Sequence, residues 1–125
     1  LGVYTLWESG GQRFVVMEYI EGRNLAEIFR QQREPVPLEK VLAWTGQLCA
    51  ALDYAHSQGV LHRDVKPANV LVDGFDNLRL ADFGIARTIA EARSFHGAQM
   101  TSGTLTFMSP EQLRGKPLDH RSDLY

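Results

Sequence analysis

The sequence predicts an α+β fold, with a pair of strands first and helices after it. A β-rich opening, Leu1 to Glu8, is separated by the turn signal Ser9-Gly10-Gly11-Gln12 from a second β-rich run, Arg13 to Met17. The stretch Leu38 to Gln58 carries apolar residues at intervals of three and four, which marks a long helix. Beyond it lie short apolar runs parted by turn residues, which suit strands better than helices.

Taken in order, the first two runs make an antiparallel hairpin, a unit that is marginal in water by itself. Glu18 to Arg23 reads as a strand-to-helix loop ending in Gly22. Asn24 can cap a helix from Leu25 to about Arg33, with Leu25, Ile28 and Phe29 on one face. Pro35-Val36-Pro37 breaks the chain. In the long helix, Val41, Trp44, Thr45, Leu48, Leu52 and Ala55 form the core stripe, and Trp44 belongs to packing rather than to a ligand. His56 near its end suits the negative pole of the helix dipole, and Gly59 suits a left-handed cap. Val60-Leu61 is expected as a short strand, Val70-Leu71-Val72 as another, and Leu78 to Ala81 as the return after the turn Asp73 to Asn77. Ile85 to Ser102 is long, polar and poorly patterned, and loops of that length are functional or disordered.

Composition narrows the function classes. A hydrophobic share of 44% and a charged share of 22% are those of a globular chain with one modest core. The formal charge of -2 argues against a binder of nucleic acid. Cys49 is the single cysteine, so no disulfide forms within the chain and a reducing, cytoplasmic setting is the default. No apolar run reaches the roughly 18 residues that a membrane span needs.

The chemistry concentrates in His62-Arg63-Asp64-Val65-Lys66-Pro67-Ala68-Asn69, which reads H-R-D-x-K-P-x-N, and in Asp82-Phe83-Gly84. Asp64, Asn69 and Asp82 all fall at the ends of expected strands or in the loop between them. Two carboxylates and an amide oxygen so placed can converge on one hard cation, which takes oxygen ligands. Pro67 fixes its own φ and lacks an N–H, as a rigid non-helical loop requires. Taken alone, His62 is more readily a hydrogen-bonding wedge than a catalyst, and Phe83 is packing.

With these residues in view the chain resembles a protein kinase domain of the serine/threonine type, similar in wording to the eukaryotic-like kinases of bacteria. Lys66, two residues past Asp64, marks that subclass. D-F-G-I-A-R, S-P-E-Q and R-S-D-L-Y carry the resemblance on to Tyr125. It implies ATP and Mg²⁺ (or Mn²⁺) as cofactors and transfer of the γ-phosphoryl to protein Ser/Thr hydroxyls. Asp64 would be the base, Lys66 would steady the transferred phosphoryl, and Asn69 and Asp82 would hold the metal. The backbone of Glu18 and Ile20 would meet the adenine edge, and Leu71 would lie under the ring. Asn24 would lie near the ribose. Thr104 would help to position the substrate near Asp64 and Lys66.

The resemblance also implies regulation. Arg63 beside Asp64 could pair bidentately with a phosphate on Thr101 or Ser102, with Arg87 as a second ligand. Asp123 would brace the catalytic loop, with a frayed end, and Glu111 would stand unpaired because its family partner lies past Tyr125. Ser109 departs from the commoner alanine. The family's glycine-rich loop and strand lysine are not among these residues. The expectation is therefore a truncated kinase-like domain, inactive alone: 1–17 the last hairpin of the N-lobe, 18–23 the hinge, 24–125 a partial, mainly helical C-lobe. Protein substrates, a dimer for trans-autophosphorylation, and no membrane contact from this segment complete the reading. The alternative is a pseudokinase that binds nucleotide or partners without catalysis.

Overall fold

The structure is a computed structural model that describes residues 1–83 and 106–125. Two small antiparallel sheets and three α-helices make up the described part. Strands β1 (Val3–Ser9) and β2 (Gln12–Met17) form the expected hairpin, with Trp7 facing Phe14 across the ladder at 5.4 Å between ring centroids. Gly10 and Gly11 turn it with φ of 58° and 77°, a left-handed conformation that glycine adopts without strain. Every residue of both strands is exposed.

The second sheet joins β3 (Gly22–Asn24), β4 (Val70–Asp73) and β5 (Leu78–Leu80) in that spatial order, all antiparallel. Strand β3 falls where the sequence suggests only a loop. Its three residues have no strand pattern of their own and are recruited by pairing with β4, Gly22 opposite Asp73. Gly22 is required there by contact: a Cβ would collide with the Val72 carbonyl group. Gly22→Ala must push β3 off β4, and overpacking of this kind costs about 1–3 kcal/mol. Urea denaturation should show a midpoint clearly below that of the wild type.

Helix α1 (Leu25–Gln31) begins at Asn24, whose Oδ1 accepts from the Glu27 N–H at 2.9 Å while Glu27 accepts from the Asn24 N–H. Leu25 and Ile28 pack into the core, but Phe29 is 46% exposed and does not share that face. Helix α2 (Leu38–Ser57) buries Trp44, Leu52 and Ala55, with Leu48 packed beside them. Val41 and Thr45 stay exposed, and the Thr45 hydroxyl donates to the Val41 carbonyl at 2.8 Å. At the end of α2, Gly59 has the expected left-handed φ of 72°. Val60-Leu61 is not a strand: the Val60 N–H donates back to the Ala55 carbonyl at 2.9 Å and has no ladder partner.

Leu25, Trp44, Leu52, Val70, Val72 and Leu80 make the core. Strand β4 alternates, so Val70 and Val72 are buried between α2 and its neighbouring strands while Leu71 is half-buried on the opposite face. Helix α3 (Pro110–Leu113) and a 3-10 turn (His120–Asp123) follow. Among the described residues, no helix is long and apolar enough to cross a membrane.

Candidate active site

The loop from His62 to Asn69 lies between α2 and β4 and is fastened at several points. His62 is fully buried. Its Nδ1 accepts from the Asp64 N–H at 3.2 Å, which makes Nε2 the protonated nitrogen that donates to the Ala81 carbonyl at 2.9 Å. The ring also packs on Phe83, with centroids 4.7 Å apart. His62 is thus the wedge between the loop and the segment after β5, as its residue type suggests.

Asp64, Lys66 and Asn69 come together. Lys66 Nζ lies 2.8 Å from Asp64 Oδ2. Asn69 Nδ2 donates to the same oxygen at 3.0 Å and to the Asp64 carbonyl at 2.8 Å. Asn69 is buried in a 3-10 turn (Pro67–Asn69) that Pro67 opens. Because its amide nitrogen faces Asp64, the amide oxygen is its remaining acceptor toward a cation. The Ala81 N–H donates to the Asn69 carbonyl at 2.8 Å, extending the β4–β5 ladder by one pair and tying the residue before Asp82 to Asn69. Asp82 follows immediately, with a left-handed φ of 56°.

Arg63 also has a left-handed φ, 65°, a conformation uncommon for a residue with a long side chain. Such strain persists where surrounding contacts over-determine it. Here Asp123 does so from the far end of the chain. Its Oδ1 accepts from the Arg63 N–H at 2.6 Å and its Oδ2 from the His62 N–H at 2.8 Å. His56 Nε2 lies 2.8 Å from the same Oδ2. Asp123 is 4% exposed and holds all three contacts, so the brace expected of it is in place. His56, placed in the sequence by its helix-end position, adds this contact, which spacing along the chain gives no means to foresee.

Glu111 is not unpaired. The Ser122 hydroxyl donates to it, and that bond is the main reason its carboxyl sits below the ordinary range. At the start of the 3-10 turn, Arg121 donates to Asp119 and holds that carboxyl down to about 2. Ser109 is fully buried and accepts from the Gln112 N–H, so the departure from alanine supplies a helix cap.

Of the residues expected at the adenine edge, Glu18 and Ile20 follow β2 and are half-buried. Glu18 is tied by its N–H to the Gly2 carbonyl at 2.8 Å and by its carboxylate to the Gly2 N–H at 3.2 Å. Leu71 sits on the face of β4 turned from the core. Gly84, Arg87, Thr101, Ser102 and Thr104 lie outside the described residues. Among the described residues, no group of three or more His, Cys, Asp or Glu side chains gathers to hold a metal. Two carboxylates and one amide, the residue types expected to face the metal, are oxygen donors of the kind a hard divalent cation takes, its remaining ligands being phosphate and water.

A family model described as "Protein kinase domain" matches residues 1–125. The chain is 38% identical over 117 residues to serine/threonine-protein kinase PknB of Mycobacterium leprae, covering 94% of this chain and 19% of that protein. It is 40% identical over 117 residues to a probable serine/threonine-protein kinase of Streptomyces coelicolor, covering 90% and 17%. A crystal structure of the Mycobacterium tuberculosis PknI kinase domain superposes with a TM-score of 0.73 at 32% identity, over 97% of this chain and 43% of that one. The chain therefore spans about a fifth of the length of the curated relatives it matches.

Proposed function

The chain belongs to the protein kinase domain family, and from that premise we propose that its protein is a serine/threonine protein kinase. The family uses ATP and a divalent metal. Mg²⁺, or Mn²⁺ in its place, is the finer assignment, and it would neutralise the triphosphate when bound.

One observation supports the reading: Asp64, Lys66 and Asn69 touch one another, and the residue before Asp82 is bonded through its backbone to Asn69. In the proposed roles, Asp64 accepts the proton of the substrate Ser or Thr hydroxyl. Lys66, held at the same carboxylate, is placed to offset charge on the transferred phosphoryl. The Asn69 amide oxygen and the Asp82 carboxylate are the proposed metal ligands. The backbone of Glu18 and Ile20 would read the adenine edge, with Leu71 below the ring. Arg63, with Arg87, is proposed to receive a phosphate carried by Thr101 or Ser102, and Thr104 to position the substrate. The proposed division is 1–17 as the end of an N-lobe, 18–23 as the hinge and 24–125 as C-lobe. Protein Ser/Thr substrates, a cytoplasmic setting for this domain and a dimer for trans-autophosphorylation belong to the same proposal.

The test uses the protein at its full length with γ-labelled ATP, Mg²⁺ and a generic basic protein. Label should appear in phosphoserine and phosphothreonine. Nucleotide binding without any transfer would replace this reading with a pseudokinase.

A further inference from the structure

Arg63 is held on both sides of its strained peptide. Asp123 takes its N–H, and its carbonyl oxygen accepts from Gln112 Nε2 at 2.7 Å. Gln112 comes from α3, 49 positions further along the chain. The same amide uses its other end at home: Gln112 Oε1 accepts from the Ser109 N–H at 2.9 Å. The two contacts fix the orientation of the amide, because a carbonyl can only accept and an N–H can only donate. Turning it over would set oxygen against oxygen and nitrogen against nitrogen.

Resting on the kinase reading above, we propose that Gln112 is a positioning residue for Asp64, acting through the Arg63 carbonyl. That carbonyl belongs to the Arg63–Asp64 peptide. Its direction helps to fix where the Asp64 side chain starts, and φ at Arg63 lies in a well the residue would otherwise leave. Asp123 fixes the N–H side of Arg63, and the N–H of the Arg63–Asp64 peptide donates to His62 Nδ1 at 3.2 Å. Gln112 adds a tie on the carbonyl side of that peptide, at 2.7 Å, against rotation about ψ at Arg63. A displacement of the reacting group by about 1 Å can cost a hundredfold in rate, so a clamp at this peptide has catalytic weight without touching substrate.

Two substitutions separate this role from helix capping. Gln112→Glu keeps an acceptor for the Ser109 N–H, and glutamate is as good as glutamine at this position of a capping box. It replaces the donor to Arg63 with a carboxylate oxygen that repels the carbonyl. Ser109→Ala removes the capping hydroxyl but leaves the Ser109 N–H and the Gln112 clamp in place. In the full-length protein, Gln112→Glu should lower kcat by about ten- to a hundredfold, with KM for ATP close to wild type. Ser109→Ala should lower Tm while kcat stays close to wild type. The ¹⁵N shift of the Asp64 amide, which shares the Arg63 carbonyl's peptide, should move in Gln112→Glu and stay in Ser109→Ala. Wild-type kcat in Gln112→Glu, or equal kcat losses in the two variants, overturns the proposal. So does an unmoved Asp64 amide. If the wild-type protein transfers no phosphoryl at all, the kinase reading fails separately, and the amide shift still decides the clamp.

Discussion

Asp64→Asn should abolish useful phosphoryl transfer while leaving nucleotide binding intact. A positioned general base contributes about 10²–10⁴-fold, and the amide that replaces it cannot take a proton at neutral pH. The fold should survive. Asp64 and Lys66 each keep about a fifth of their side-chain surface in contact with solvent, and ion pairs that solvent reaches contribute little to stability. The amide oxygen introduced by the substitution would still accept from Asn69 Nδ2, so that tie is kept. The measurement is single-turnover transfer beside nucleotide affinity by calorimetry. Turnover near wild type would remove Asp64 from the base role.

Asp123→Ala should act on both stability and rate. It deletes the acceptor for the His62 and Arg63 N–H groups and for His56 Nε2 in one step. The carboxylate side chain is 1% exposed, so water does not reach the orphaned donors in the folded state. Leaving a buried donor without its acceptor costs about 1–3 kcal/mol, a noticeable part of the roughly 5–15 kcal/mol that holds a typical domain. What folds should be slow, because Arg63 loses the contact that keeps its φ at 65°. Asp123→Asn should fall between: one oxygen remains to accept, and an amide N–H₂ now faces a donor. Thermal denaturation and kcat measured on the same samples check both parts. An alanine variant with wild-type Tm would mean that the loop is braced from elsewhere.

Much of this is legible from residue types. The hairpin follows from β-rich runs around Gly10-Gly11, the long helix from its three-and-four periodicity, and the helix cap at Asn24 from a short polar side chain ahead of Leu25. The loop residues Asp64, Lys66 and Asn69 stand close enough in the chain that their meeting needs no tertiary information beyond an extended loop. Strand β3 escapes a reading of the sequence because Gly22, Arg23 and Asn24 have low strand propensity and are paired only by contact with β4. Phe29 falls on the wrong face in such a reading because its spacing from Leu25 fits a helical stripe that the real helix, ending at Gln31, does not bury. The roles of His56 and Gln112 are beyond reach for a different reason. Each depends on a partner 49 or more positions away, and hydrogen bonds of that range leave no periodic trace.

The placement of the two tryptophans has a practical use. Trp7 lies on the outer hairpin and is 59% exposed, whereas Trp44 is 6% exposed in the core. Indole emission from Trp7 should already be closer to that of a hydrated ring in the native state, so within these residues a red shift on denaturation should report mainly Trp44. Quenching by added iodide should divide the signal the same way, reaching Trp7 and sparing Trp44. Fluorescence thus gives an optical readout weighted toward the helix-and-sheet core.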